Sequence, residues 1–332
     1  MNIAFTICSN NYLAHAKTLG DSFLEFHPNW KFIIGLVDEL DSSFDYSLFN
    51  NFEIIKVVDI KVPEFENIVK KYDIIELNTA VKPTFIKHIF TNYNANKLIY
   101  IDPDILVTSY FEEVITILDL RDIVITPHIC SPIDDDYAPT DYHTLRGGVY
   151  NLGFIALARY DKIKDFIKWW DERVLKYGFC DFSKNMFYDQ IWINYVPAMW
   201  GNYHIIRHLG YNMANWNLHE RILTNTEKEI FCVNQQYPLR FFHFSGYKYD
   251  NPSSIASYLT RYDFESRPDL KHLFSLYNDL LKNNKIEHIS KLRVYYQLGN
   301  KNAINPSVKK SLLSKIMNRL KITFKVFLTG HK

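Results

Sequence analysis

The sequence predicts an α/β fold, a mainly parallel sheet flanked by helices, and three features predict it. Short apolar runs of strand length alternate with amphipathic stretches of helix length through the first half of the chain. Several of those runs end on polar residues, as in open sheets whose ligands bind beyond the carboxyl ends of the strands. At 332 residues the chain has room for one large domain and an appendage. The domain is expected over 1–265, and a helical, basic C-terminal extension over 266–332.

The elements follow in order. "NIAFTIC" reads as a buried strand, and "NYLAHAKTLGDSFLEFHP" as a helix with Leu13, Ala16, Leu19 and Phe23 on one stripe, stopped by Pro28. "KFIIGLVD" and "FEIIKVVDI" are further strands. "TAVKPTFIKHIFTNY" is a helix with Pro83 in its first turn, where a missing N–H costs little. "KLIYIDPD" is a strand, "SYFEEVITILD" a helix and "DIVITP" the next strand. From Pro127 to Arg146 the chain is rich in Pro, Asp and Tyr and loses its period; such a long irregular loop is more often functional than idle. The Asp134–Asp136 run within it reads as solvated. "VYNLGFIALA" resumes as a strand and "DFIKWWDERVLKYG" as a helix, and beyond Asp263 the chain is helical and increasingly basic.

Composition narrows the function. Hydrophobic residues at 47% and charged residues at 23% are ordinary for a globular protein, and a net charge of +1 argues against a nucleic-acid partner. The four cysteines show no CxxC spacing, which fits a reducing compartment and no zinc site. With no basic leader and no apolar run of membrane length, the chain is expected in the cytosol. Aromatics at 16% read first as an aromatic core. From His288 onward ten basic residues occur and no acidic one. "SLLSKIMNRLKITFKVFL" has the spacing of a basic amphipathic helix, suited either to an anionic membrane surface or to docking on its own domain.

The chemistry concentrates in "KLIYIDPDILV". Pro103 has no N–H to donate and ends the strand. On an extended backbone, Asp102 and Asp104 would point to one side, about 7 Å apart. Two such carboxylates can bracket a hard cation, Mg²⁺ or Mn²⁺, of the kind that grips substrate phosphates. The plainer reading is a pair of strand-end or helix-capping acids. Thr6 to Asn11 after the first strand and Asp38 after the second would face the same edge. No GxGxxG and no GxxxxGK[ST] occurs, so neither a dinucleotide fingerprint nor a P-loop accounts for the site.

"LIYIDPDILV" resembles the D-x-D strand of GT-A-fold glycosyltransferases, a Rossmann-like mixed sheet, and of glycosyltransferase family 8 in particular. Five further segments resemble that family in the same order: "TICSNNYLAHAKTLGDSF", "VYNLGFIAL", "FYDQIWINYV", "NMANWNL" and "FFHFSGYKY". Together they span about residues 3 to 250. The resemblance implies a nucleotide-sugar donor, UDP-linked, and a Mn²⁺ or Mg²⁺ ion held by Asp102, Asp104 and His243. It implies donor contacts from Thr6, Ser9, Asn11, Tyr12, Asp102, Asn151, Gly153, Asn215, Ser245 and Gly246. Asp189 and Gln190 would lie under the transferred sugar, Asp189 doubling as a helix N-cap, and Trp216 would pack near donor or acceptor. The family's lysine would fall on Tyr249, so the diphosphate's partner stays open between Lys248 and Lys82.

The activity so implied is retaining, metal-dependent transfer of a sugar to a glycan acceptor, with a lipid-linked bacterial surface glycan as the acceptor and a peripheral membrane location for the tail. A sugar-1-phosphate nucleotidyltransferase would need a Gly- and Arg-rich first loop, which "TICSNNYLAHAK" lacks. A carbohydrate-binding protein without catalysis would have no use for both acids, His243 and Asp189.

Overall fold

The structure is a computed structural model that describes residues 1–225 and 230–297. Its centre is a seven-stranded mixed sheet. The strands are β1 (Asn2–Cys8), β2 (Lys31–Leu36), β3 (Glu53–Lys56), β4 (Lys97–Ile101), β6 (Ile123–Pro127) and β7 (Tyr150–Ala158), with Tyr203–Ile205 at one edge. β5 (Ile105–Val107) belongs to a separate three-stranded sheet with Met213–Ala214 and Phe241–His243. In the large sheet the order runs from Tyr203–Ile205 through β6, β7, β4, β1 and β2 to β3.

Alternation along the strands divides the core in two. Ile3, Phe5 and Ile7 of β1 face one hydrophobic cluster, and Ala4 and Cys8 face the other. Both faces are buried because helices cover both, so the strands are apolar throughout. Helix Leu13–Phe26 lays Leu13, Ala16, Leu19 and Phe23 on one face. Helices Lys82–Tyr93 and Tyr160–Tyr177 cover the other with Phe85, Ile86, Ile89, Phe166 and Trp170. Much of the aromatic content is spent here: Phe23, Phe111, Phe154, Tyr211 and Phe241 form one run of ring contacts.

Four local expectations change. "FEIIKVVDI" is a strand only to Lys56 and continues as a 3₁₀ turn, Val57–Ile60. The segment 127–146 is not wholly irregular, since Thr140 caps a helix, Asp141–Gly147. Asp135 in that segment is not merely solvated; Arg261 Nε donates to both its oxygens, at 3.0 and 2.9 Å. Residues 102–104 are not extended but form a turn, with the Ile105 N–H donating to the Asp102 carbonyl at 3.2 Å. β7 runs antiparallel to both β4 and β6, giving the mixed, mainly parallel sheet that the family resemblance implies.

The C-terminal segment described here packs into the first core cluster. Leu273, Phe274, Tyr277 and Leu281 of helix Lys271–Asn283 join it, as do Ile286 and Ile289. The expected basic amphipathic helix lies outside the described residues. Among those that are described, no helix is long and apolar enough to cross a membrane.

Candidate active site

The antiparallel direction of β7 decides which residues meet at the end of β4. Its first residues, rather than its last, lie beside Ile101 and Asp102, and the Asp102 N–H donates to the Gly153 carbonyl at 2.8 Å. The chain then turns through Pro103 and Asp104 and enters the second sheet as β5. There Phe241–His243 pairs antiparallel with β5, placing His243 opposite Ile105. The Phe244 N–H donates to the Asp104 carbonyl at 2.8 Å and closes the pairing.

Asp102, Asp104 and His243 therefore converge, each offering one ligand atom within 4.8 Å of the others. His243 Nε2 lies 3.0 Å from Asp104 Oδ1 and 3.8 Å from Asp102 Oδ2. The histidine is buried, whereas the side chains of Asp102 and Asp104 keep 28% and 23% exposure, enough for a ligand to reach them. Burial pushes the His243 pKa down, but the two carboxylates outweigh it and hold the imidazole above its ordinary value. Burial would raise Asp104, yet His243 brings it below the usual carboxylate range. Asp102 is raised by burial, with Lys82 and His243 opposing.

Beside this trio sits a buried ion pair. Lys82 Nζ is 2.6 Å from Asp189 Oδ2, donates to the Leu152 carbonyl at 3.1 Å and lies 4.1 Å from the Tyr100 ring centroid. Tyr100 OH donates to Asp102 Oδ1 at 2.5 Å, so the pair and the trio are joined through one phenol. Asp189 is raised by burial against the pull of Lys82. The set holds three carboxyl groups and one ammonium, two negative charges in excess when all three acids are ionised and His243 is neutral. Two oxygen ligands, one imidazole and that excess fit a hard divalent cation, which Asp102, Asp104 and His243 could hold.

Several residues expected to touch a ligand make contacts within the protein. Asp189 opens a 3₁₀ helix, Gln190–Tyr195, but its side chain makes no capping bond. Gln190 Oε1 accepts from the Leu152 N–H at 3.2 Å and its Nε2 donates to the Gly147 carbonyl at 2.8 Å. Asn151 Oδ1 accepts from the Gly153 N–H at 3.2 Å, and its Nδ2 lies 3.1 Å from His128 Nε2. Asn215 Nδ2 donates to the Ser245 carbonyl at 2.7 Å and to Tyr258 OH at 3.0 Å. Ser245 Oγ lies 3.1 Å from Tyr258 OH, and Gly246 takes φ +76° with Tyr258 packed where a Cβ would stand. Ser9 Oγ donates to the Val37 carbonyl and accepts from Asn78. Thr6 is fully buried, and its hydroxyl has no partner among the described residues.

Tyr12 is exposed and stacks on His15, and Asn11 and Lys248 also reach the surface. Asp38 is not free for a ligand, because N–H groups of Asn10, Glu39 and Tyr295 all donate to it. Trp216 packs edge-on against His243, centroids 5.1 Å apart, and at 5.2 Å against His128.

Sequence reasoning missed three contributors. His128 anchors Asn151; Tyr100 bridges Lys82 to Asp102; Tyr258 holds the Ser245–Gly246 turn. Tyr100 alone carried a signal, being two residues before Asp102 and so on the same side of the strand.

No family model matches the sequence. The protein YfnF of Bacillus subtilis, described as uncharacterized, is 29% identical over 145 residues, 44% of this chain and 46% of its own length. YfnD of the same bacterium, also uncharacterized, is 22% identical over 173 residues, 51% and 52% respectively. The chain thus spans about half the length of the curated relatives it matches. Among solved structures, the galactosyltransferase LgtC with donor and acceptor sugar analogs is similar at a TM-score of 0.48 and 14% identity, covering 85% of this chain and 96% of that one. The glycosyltransferase GlyE of Streptococcus pneumoniae is similar at 0.47 and 13%, covering 89% and 66%.

Two predictions come from this geometry. A Cβ at Gly153 would stand 2.5 Å from His243 Cε1, so Gly153→Ala must push the imidazole aside. It should weaken Mn²⁺ binding by about 10- to 100-fold, the range for disturbed ligand support, as read by titration calorimetry on protein whose circular dichroism is unchanged. Metal ligation needs a neutral imidazole, and His243 holds its proton to a pH above the ordinary 6.5. Mn²⁺ affinity should therefore climb as pH rises through that range, with a proton released per ion bound below it. An affinity flat from pH 5.5 to 8.5 would remove His243 from the ligand set.

Proposed function

We propose that this protein is a metal-dependent glycosyltransferase that moves a sugar from a nucleoside-diphosphate donor, UDP-linked on the family resemblance, to a glycan acceptor. One observation carries the reading. A cation-ready trio and a buried Lys82–Asp189 pair share one charge network at the carboxyl ends of the parallel strands. An open α/β sheet binds its ligands at that edge.

The ion, when bound, would neutralise the charge that grows on the departing diphosphate. The remaining work falls to the chain. Lys82 keeps Asp189 oriented and favours its ionised form, so that a fixed negative charge faces the positive charge developing on the transferred sugar. Because Lys82 is already committed to Asp189 and the Leu152 carbonyl, Lys248 is the lysine left to meet the diphosphate. The Ser245–Gly246 turn supports the same role, since its backbone is fixed from behind by Asn215 and Tyr258. Gln190 and Asn151 act by holding the backbone of β7 and Gly147 in place. On the family 8 resemblance, transfer retains the anomeric configuration. The tail beyond the described residues would attach the protein to the inner face of a bacterial membrane, where the acceptor is a lipid-linked surface glycan.

A panel of UDP-sugars tests the chemistry. At least one should be hydrolysed slowly with Mn²⁺ and not with a chelator, and Asp104→Ala should abolish Mn²⁺-dependent UDP binding in a folded protein. Asp189→Asn should keep UDP binding and lower turnover by about 100-fold or more, the scale of losing one charge-stabilising group. Metal-independent turnover throughout would sink the reading. The location is tested separately by deleting the chain beyond Pro306. Binding to anionic vesicles should fall steeply, each basic residue near the surface contributing about 1 kcal/mol, while donor hydrolysis is spared.

A further inference from the structure

We propose that a cleft between helix Asp141–Gly147 and the start of β7 binds the acceptor as a glycoside, with its sugar ring on Tyr142 and Asp141 and an apolar aglycone over Leu145, Val149 and Ile129. The inference rests on the glycosyl-transfer reading and assigns it an acceptor class.

The cleft has a volume of about 420 Å³, lined by Ile129, Asp141, Tyr142, Thr144, Leu145 and Val149. That volume lies within the range of small-molecule sites. Its lining is unusual for a surface: Tyr142, Leu145 and Val149 are 58%, 65% and 43% exposed, side by side. Large apolar groups gathered in the open mark a place where something binds.

The exposed groups stand on a fixed platform rather than a loose loop. Upstream, buried Arg261 grips Asp135 and donates to the Tyr137 and Pro139 carbonyls at 2.6 and 2.8 Å, while Thr260 and Ala138 exchange bonds. Downstream, Gln190 Nε2 holds the Gly147 carbonyl and Asn194 Oδ1 holds the Val149 N–H at 2.9 Å. A site held this way loses little entropy when a ligand arrives.

The same bonds tie the cleft to the chemistry. Gln190 follows Asp189 in the chain and bonds both Gly147 at the end of the helix and Leu152 of β7. On its other side Ile129 follows His128, whose ring meets Asn151 and Trp216, so the cleft and the residues proposed to act on the donor share one frame.

The lining names the ligand class. An aromatic ring beside a carboxylate suits a pyranose, which offers an apolar C–H face and hydroxyl donors together. Leu145, Val149 and Ile129 offer hydroxyls nothing, so a second sugar would lose its hydrogen bonds there and a hydrocarbon would lose none. Arg146 lies between Phe182 and Tyr142, its guanidinium 4.0 and 5.4 Å from the two ring centroids, and steadies the Tyr142 ring at the polar end of the cleft, away from the aliphatic side chains of the lining.

The test uses the full chain with Mn²⁺ and UDP, and octyl against methyl β-glucosides and β-galactosides below micelle-forming concentration. Octyl glycosides should bind at least tenfold more tightly than methyl ones by titration calorimetry. Tyr142→Ala and Leu145→Asp, both at exposed positions, should each remove at least tenfold of the octyl affinity and leave Mn²⁺-dependent UDP binding unchanged. Equal binding of octyl and methyl glycosides, or variants that bind like wild type, would overturn the site. So would a concentration-dependent dimer that Leu145→Asp dissolves, because the face would then belong to a second copy. If wild type shows no Mn²⁺-dependent UDP binding, the glycosyl-transfer reading itself fails; UDP binding with a flat response to alkyl chains fails this cleft alone.

Discussion

The site depends on one backbone event, the passage of the chain from the large sheet to the small one at Asp102–Asp104. β4 ends at Ile101, the chain turns, and β5 pairs with Phe241–His243 in a second sheet. The register of that pairing sets His243 opposite Ile105 and hence next to Asp104. A slip of one residue would turn the imidazole to the other face of the strand. The trio is thus fixed by ladder hydrogen bonds rather than by side-chain packing alone. Gly153 is part of the same constraint, since only a residue without Cβ lets β7 run past the imidazole at this distance.

Electrostatics then limits what the arrangement can do. Ionised groups removed from water need partners, and breaking a buried pair by losing one member is costly. Lys82 and Asp189 satisfy each other, and Tyr100 shares its hydroxyl with Asp102. Asp104 leans on His243, which pulls the imidazole toward its charged form. A dication replacing that proton would serve both acids at once. Proton and dication would then compete for the same place, and pH would decide between them.

Much of this was legible in the sequence, and the parts that were not share a cause. The strand–helix alternation and the strand end at "YIDPD" are local patterns, so they survive without knowledge of tertiary structure, and His243 is reached only through the family resemblance of "FFHFSGYKY". The direction of β7 is not local: "VYNLGFIALA" reads alike in either orientation, and only the sheet decides it. The segment Asp102–Asp104 reads as extended because alternation says nothing about a change of sheet. Helix Asp141–Gly147 was hidden by its seven-residue length and by the Pro and Asp residues before it. Lys82 and Asp189, more than a hundred residues apart, could each be singled out but not paired.

The engaged side chains carry a consequence for recognition. Asn151, Gln190 and Ser9 already use their hydrogen-bonding groups on the protein itself. Exchanging such a bond for one to a ligand yields little net free energy, because a typical bond contributes only about 1 kcal/mol and one would be broken to make another. These residues therefore act as struts. Unused hydrogen-bonding capacity lies elsewhere: at the surface residues Asn11, Tyr12 and Lys248, and at the buried Thr6 Oγ1, Asn215 Oδ1 and Trp216 Nε1, which have no partner among the described residues. An unsatisfied buried polar atom costs about 1–3 kcal/mol, so a ligand that reaches Asn215 or Trp216 gains by satisfying it. On the proposed function, specificity would rest on these few open polar atoms, set in a frame that the other polar residues hold still.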